Sequence, residues 1–141
     1  MPPCRAILTP HPGEMARLLG ASQEEVLASR IAVAQRAATT WRQVVVFKGA
    51  YTVIAHPDGR VVLNPMANPI LASAGTGDVL AGAVGGFLAQ GVPLFEAALL
   101  GVYTHGLAGE MLSAEVGAAG GLARDVLERL PGAVQGLRER V

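Results

Sequence analysis

The sequence predicts an α/β fold, and three observations support that class. Val44–Phe47 is apolar, mostly β-branched, and lacks the polar–apolar alternation of a half-exposed strand. Such a run is typical of a strand covered on both faces, as in parallel sheets. A second short apolar run, Arg5–Leu8, is separated from it by a helical region, and long apolar helical stretches follow from Thr76 onwards. Strands that alternate with helices indicate a layered α/β domain.

Helix signals dominate the region between the first two strands. Glu14–Leu19 predicts a short helix, which follows a proline-rich stop to the first strand. Ser22 and Glu25 have the spacing of a capping box, which predicts one helix over Gln23–Thr40. The predicted apolar positions of that helix are Val26, Ile31, Val33 and Ala34.

Two further strands are predicted after Val44–Phe47. Tyr51–Ala55 and Val61–Asn64 flank the turn Pro57–Gly59. The proline presets φ for a turn and the glycine permits a positive φ, so these segments predict a β-hairpin. Only about two strands are then left to run parallel. Such a small sheet suggests part of a larger one.

The remainder of the chain predicts a loop over residues 65–75 and then helices. The helices are expected over Thr76–Gln90, Leu94–Glu115 and Ala119–Leu130, and Gly132–Val141 is expected to be a short helix or a frayed tail. Glycine-rich stretches predict either close helix packing or a loop. They are Gly82, Gly85 and Gly86, and Gly117–Gly121.

Composition narrows the functional classes. The 141 residues suit one domain, 1–141, and 51% of them are hydrophobic, which excludes a chain disordered throughout. Eleven basic and eleven acidic residues cancel, so we expect neither nucleic acid nor a membrane surface as a partner. A single cysteine, Cys4, excludes an internal disulfide. Glu96, His105 and Glu110 interrupt the longest apolar stretch, and no targeting segment is visible, so we expect a cytoplasmic protein.

The strongest chemical signal is Gly75-Thr76-Gly77-Asp78 at the start of a long apolar helix. Glycines let a ligand approach the backbone closely, and the first amides of a helix form an anion site. Asp78 stands where a carboxylate could take a proton from a hydroxyl that attacks a bound phosphate. The helix dipole also makes that carboxylate a weak base, so positioning would matter as much as basicity. A tight turn with a dipole-stabilised aspartate explains the same residues equally well.

Two other segments follow strand ends, where α/β sheets bind ligands. Lys48, the only lysine, is followed by Gly49, and these two residues could instead form an ordinary turn. His11 and Glu14 lie in a proline-stiffened loop, where Glu14 could simply cap a helix. The other histidines, His56 and His105, are explained by a turn and by packing. No histidine or cysteine spacing indicates a metal site.

Four segments together resemble the ADP/ATP-dependent NAD(P)H-hydrate dehydratase family, which has a ribokinase-like, three-layer α/β/α fold. They are Leu8–Leu18, Lys48–Thr52, Asn68–Gly82 and Gly101–Gly109. They occur in the family's order and cover nearly the whole chain. The Gly-Thr-Gly-Asp element is common to many ribokinase-like kinases, whereas Thr-Pro-His-Pro-Gly-Glu is far more specific. Ala67 and Ala74 stand where the family often has glycine.

The resemblance implies a reaction and assigns residues to it. The family phosphorylates the hydroxyl of a hydrated nicotinamide with ADP or ATP and Mg²⁺, and phosphate then leaves to restore NADH or NADPH. Asp78 would contact the hydrate and activate its hydroxyl, and His11 would lie on the hydrate-binding side. Gly75, Thr76 and Gly77 would form the anion hole.

The resemblance also assigns the nucleotide site. The adenine nucleotide would be held by Gly77 and by the segment that comprises Lys48, Gly49, Ala50, Tyr51 and Thr52.

The family domain is about twice as long as this chain, so the chain resembles its C-terminal half. We therefore expect a piece of a longer chain, a shortened gene product or one part of a split enzyme, and an exposed sheet edge would favour a homo-oligomer. Two alternatives remain. One is a ribokinase-like small-molecule kinase that releases a stable phosphorylated product, and the other is a non-catalytic fragment that binds a nucleotide or a partner subunit.

Overall fold

The structure, a computed structural model, describes residues 5–139. Cys4 and the last two residues of the predicted tail lie outside the described residues. Contacts divide the chain into two compact units, Met1–Pro65 and Met66–Val141. Each unit has its own secondary structure and its own buried apolar cluster. The expectation of one domain over 1–141 stays a prediction.

The first unit contains a four-stranded sheet. Its strands are β1 (Ile7–Leu8), β2 (Val44–Phe47), β3 (Val53–Ala55) and β4 (Val61–Leu63), in that spatial order. β1 and β2 are parallel, with Ile7 opposite Val44, and the other pairs are antiparallel. The parallel pair and the β3–β4 hairpin are therefore confirmed. β2 is buried along its whole length, as its lack of alternation predicts.

Three helices accompany the sheet: α1 (Pro12–Leu19), α2 (Gln23–Ala28) and α3 (Arg30–Trp41). α1 ends at Gly20, whose φ of 64° is the left-handed conformation that favours glycine. Ser22 and Glu25 form the predicted capping box at the start of α2.

The single helix predicted over Gln23–Thr40 is wrong. Ser29 has φ −142° and ψ 49°, which is not helical, and it separates α2 from α3. The break resets the helical phase. As a result α3 buries Val33 and Ala34 but leaves Ile31 47% exposed, against prediction.

The hairpin turn matches its sequence signal. Gly59 has φ 98°, and the Asp58 carboxylate accepts the Arg60 backbone amide at 3.0 Å. That hydrogen bond, with further ones from His56 and Arg60, lowers the pKa of Asp58 to about 2. β3 is shorter than predicted, because Tyr51 has a φ of 52° and belongs to the turn before the strand.

The second unit contains α4 (Thr76–Ala89), α5 (Leu94–Val116) and α6 (Ala123–Arg138), preceded by a short 3₁₀ helix over Pro69–Ala72. α6 begins four residues later than predicted and continues through Pro131 without a break. The predicted separate tail is therefore wrong. Buried Val126 and Ala133 lie on both sides of that proline in one apolar cluster, and this burial maintains a single helix. Among residues 5–139, no helix has both the length and the apolarity needed to cross a membrane.

Glycine has different roles in α4 and α5. A Cβ added at Gly101 would overlap Val84 Cγ2 and would come within 3.1 Å of Val84 Cα. α5 therefore approaches α4 at a distance that only glycine permits. Among residues 5–139, nothing lies within 4 Å of such an atom at Gly82, Gly85 or Gly86, and all three lie inside α4, so neither the close packing nor the loop predicted there is found.

We expect Gly101→Ala to destabilise the protein, because the added methyl group would force two packed helices apart. Overpacking of this kind costs about 1–3 kcal/mol, more than the ~0.5–1 kcal/mol that alanine gains over glycine in a helix. Gly82→Ala is the matched control, with the same helix preference and open space. Urea denaturation measures both variants. Equal stabilities for the two would contradict the close contact.

Candidate functional site

The predicted anion loop opens α4 in the second unit. Gly75 precedes the helix with a φ of 85°, and its carbonyl accepts the amides of Asp78 at 3.1 Å and Val79 at 3.2 Å. The Thr76 amide donates to the Ser73 carbonyl at 3.3 Å. Of the amides proposed for anion binding, that of Thr76 is thus used inside the loop. The Gly77 amide is in the first turn, where helix amides lack an intrahelical partner.

Asp78 and Thr76 face opposite ways. The Asp78 residue is exposed and makes no ion pair among the described residues, so its carboxylate is available to a ligand. Thr76 is only 4% exposed, and its hydroxyl lies 2.6 Å from the Leu71 carbonyl and 2.8 Å from the Ser73 carbonyl. Its side chain therefore shapes the loop and does not face an anion.

A buried histidine supports the same turn. His105, on α5, is 7% exposed and its Nε2 lies 2.9 Å from the Thr76 carbonyl. A carbonyl only accepts, so this partner assigns the proton to Nε2. The packing role expected for His105 is confirmed. Its position behind the anion loop gives it a part in the geometry of that loop as well.

Four more hydrogen bonds hold the loop that precedes α4. The Asn68 side-chain amide donates to the Gly109 carbonyl at 3.3 Å and to Glu110 Oε1 at 3.1 Å, and its Oδ1 accepts the Ile70 amide. The Ser73 hydroxyl bonds the Gly121 carbonyl at 3.0 Å. Sequence reasoning missed both side chains. Asn68 could have been found, because asparagine before proline is a known signal for a side-chain turn.

The second cluster lies in the first unit, where β1 and β2 end. His11 caps α1: its Nδ1 accepts the amides of Gly13 at 3.1 Å and Glu14 at 3.3 Å. Glu14 returns the bond by accepting the His11 amide at 2.7 Å. Lys48 Nζ is 3.8 Å from Glu14 Oε2. The structure therefore brings His11, Glu14 and Lys48 together, as expected for the carboxyl ends of parallel strands.

Electrostatics favour an ionised Glu14. The His11 backbone hydrogen bond lowers the pKa of the carboxyl most, and Lys48, His11 and Arg17 lower it further. His11 accepts two amides through Nδ1, which requires that nitrogen to be unprotonated. The Nε2–H consequently faces Glu14 Oε1 at 3.3 Å.

The segment Lys48–Thr52 turns sharply between β2 and β3. Gly49 has φ 144° and Tyr51 has φ 52°, and the Thr52 hydroxyl donates to the Gly49 carbonyl at 2.9 Å. Arg30 donates to the carbonyls of Phe47, Lys48 and Ala50. Nothing in the local pattern around Arg30 signals this contact, which spans 17 to 20 residues along the chain.

Residues 75–78 belong to the second unit, and His11 and Lys48–Thr52 belong to the first.

Among residues 5–139, no three His, Cys, Asp or Glu side chains group as metal ligands would. His56 Nδ1 lies 2.8 Å from Asp58 Oδ1, and His56 belongs to the hairpin turn, as expected.

We expect His105→Leu to destabilise the start of α4, because it removes a buried donor from the Thr76 carbonyl. An acceptor left without its partner costs about 1–3 kcal/mol. His105→Gln is the matched control, since its terminal amide can still donate from the position of Nε2. Chemical denaturation compares the variants, and equal stability of the Leu and Gln variants would contradict a role for this hydrogen bond.

Comparison with known proteins identifies relatives that match most of the chain. A family model described as NAD(P)H-hydrate dehydratase matches residues 1–132. The ADP-dependent (S)-NAD(P)H-hydrate dehydratase of Neisseria meningitidis is 47% identical over 116 residues, which are 82% of this chain and 39% of that protein.

Similar solved structures are named as a member of the same family and as a ribokinase-like superfamily protein. The ADP/ATP-dependent NAD(P)H-hydrate dehydratase of Bacillus subtilis, co-crystallised with ATP/Mg²⁺, is 40% identical with a TM-score of 0.89, over 93% of this chain and 47% of that one. A ribokinase-like superfamily protein of Enterococcus faecalis is 33% identical with a TM-score of 0.79, over 92% of this chain and 44% of that one. The predicted ribokinase-like α/β fold class is confirmed. The chain spans less than half the length of each of these relatives.

Proposed function

The chain belongs to the NAD(P)H-hydrate dehydratase family, and on that basis we propose that it acts in the ADP- or ATP-dependent dehydration of NAD(P)H hydrate. The observation that carries the proposal is the exposed Asp78 carboxylate in the first turn of a helix, next to the Gly77 amide. A phosphoryl acceptor needs a group that holds its hydroxyl, beside donors that stabilise the transferred phosphoryl group.

The proposed reaction has two steps. The hydrate hydroxyl attacks the terminal phosphorus of ADP or ATP, its proton passes to Asp78, and AMP or ADP leaves. The carbon–oxygen bond of the phosphorylated hydrate then breaks, phosphate departs with the bonding pair, and loss of a neighbouring proton restores the ring double bond. Phosphorylation makes this elimination easier because phosphate is a better leaving group than hydroxide.

We assign the other residues by their contacts. The start of α4 over Gly75, Thr76 and Gly77 would stabilise the transferred phosphoryl group, chiefly through the Gly77 amide, because the Thr76 amide donates to Ser73. Lys48 and the turn over Gly49, Ala50, Tyr51 and Thr52 would hold the nucleotide. His11 would contact the hydrate, its Nδ1 being occupied by the α1 cap.

The donor chemistry fits Mg²⁺ that is held mainly by nucleotide phosphates and water. Mg²⁺ commonly uses only one or two protein carboxylates, and the described residues offer no cluster of three or more ligands. When bound, Mg²⁺ supplies neutralisation of the phosphate charge.

The direct test is the return of reduced-nicotinamide absorbance. The chain is mixed with hydrated NADH, Mg²⁺, and ADP or ATP in separate reactions, and free phosphate is measured in parallel. We expect absorbance and phosphate to rise together with at least one nucleotide. A persistent phosphoester would indicate the kinase alternative instead, and no reaction by a folded chain would contradict catalysis by this chain alone.

We expect Asp78→Asn to lower turnover by roughly 10²–10⁴-fold, the usual contribution of general acid–base catalysis, while nucleotide binding is retained. Glu96→Gln is the matched control, because Glu96 is also an exposed acid in the first turn of an apolar helix. Near-normal turnover of Asp78→Asn, or an equal loss in Glu96→Gln, would contradict the assignment.

We also propose that the chain self-associates. β4 pairs only with β3 among the described residues, and Val62 and Leu63 are 39% and 47% exposed there. An apolar edge strand of this kind favours pairing with another chain. We expect light scattering to report a mass above that of one chain, and a stable monomer would contradict self-association. A cytoplasmic location stays a prediction from the sequence.

A further inference from the structure

The guanidinium group of one arginine donates hydrogen bonds to three backbone carbonyls at a tight turn. Arg30, at the start of α3, donates through Nη2 to the carbonyls of Phe47 at 3.1 Å and Lys48 at 3.2 Å, and through Nη1 to the carbonyl of Ala50. Its guanidinium carbon also lies 4.9 Å from the centre of the Phe47 ring. Arginine suits this position because its planar fork can reach several acceptors at once.

Gly49 is the residue that permits this approach. A Cβ at that position would lie 2.9 Å from Arg30 Nη2, closer than real contacts allow. Its φ of 144° is also a conformation that other residues rarely adopt. The positive φ favours glycine at this position, and the hydrogen bonds from Arg30 hold the path of the turn.

The direction of the bound carbonyls determines the direction of two amides. Every peptide bond among the described residues is trans, so a carbonyl and the following N–H point to opposite sides of their peptide plane. The Lys48 and Ala50 carbonyls point at Arg30. Consequently the N–H groups of Gly49 and Tyr51 point away from it, and neither donates to another backbone group among the described residues.

The charge of Arg30 is available to support those donors. Burial is the one influence that shifts its pKa, which it lowers, and among the described residues no carboxylate forms an ion pair with it. Outward backbone amides with a cation behind them form a setting that favours an anion. Lys48 contributes a second positive charge at the same strand end, partly compensated by Glu14.

We propose that Arg30 is a positioning residue for nucleotide binding, which orients the Gly49 and Tyr51 amides toward the phosphates of ADP or ATP. This inference rests on the proposed function, in which Lys48–Thr52 holds the nucleotide. Arg30 itself stays behind the turn, bonded to carbonyls, and acts through the backbone.

The test compares Arg30→Met and Arg30→Lys with wild type and with Arg36→Met, in which an exposed arginine of the same helix is replaced. Calorimetric titration with Mg-ADP and Mg-ATP measures affinity, and thermal unfolding measures stability. We expect Arg30→Met to weaken nucleotide binding about ten- to hundredfold, the range for loss of hydrogen bonds to a charged group. Arg30→Lys is expected to be intermediate, since one ammonium cannot span three carbonyls, and Arg36→Met should bind as wild type does.

Amide spectra separate positioning from stability. In ¹⁵N-labelled wild type, the Gly49 and Tyr51 signals should shift on addition of nucleotide, and in Arg30→Lys at the same temperature these shifts should shrink. Wild-type affinity in a folded Arg30→Met would overturn the inference alone. If Arg30→Met does not fold, wild-type affinity in Arg30→Lys does the same. Failure of the wild type to bind either nucleotide would overturn the proposed function, and this inference with it.

Discussion

Both candidate ligand segments depend on one constraint: a backbone that turns sharply at the end of an apolar element must still have its polar groups hydrogen-bonded. In the first unit, Arg30 meets this need for three carbonyls after β2. In the second unit, the Thr76 hydroxyl and His105 meet it at the start of α4. A carbonyl that is shielded from water and lacks a partner costs free energy, and these side chains supply the partners. The turns are thereby held in shape before any ligand binds.

The anion binding proposed for this chain has to be explained without a net charge. The sequence has equal numbers of acidic and basic residues, so no general field attracts phosphates. Attraction must come from local donors, such as the first amides of α4, the turn after β2, and Lys48. Each of these donors is fixed by contacts to residues far away in the sequence. Preorganised donors are more effective than flexible ones, because little reorganisation is needed when charge develops.

Much of the fold was predictable from the sequence because its signals are local. The boundaries of β2 are those predicted, Val44 and Phe47, and the capping box at Ser22 and the hairpin turn at Gly59 are found where expected. Two predictions for the helices failed. The exposure of Ile31 follows from the break at Ser29, and the helix that continues through Pro131 buries Val126 and Ala133 in a tertiary cluster. Local preferences cannot show such contacts.

For the candidate site, the sequence by itself determined which residue types stand at each strand end and helix start. It also determined the family likeness, through four segments in a characteristic order. Only the tertiary structure showed that His11 caps its own helix, that Thr76 turns its hydroxyl inward, and that Arg30 and His105 bind the two turns from behind. The physical reason is distance along the chain. A side chain that bonds a carbonyl 17 or 29 residues away produces no pattern in the sequence around it. Its role is seen only in the folded structure, where the two residues are in contact.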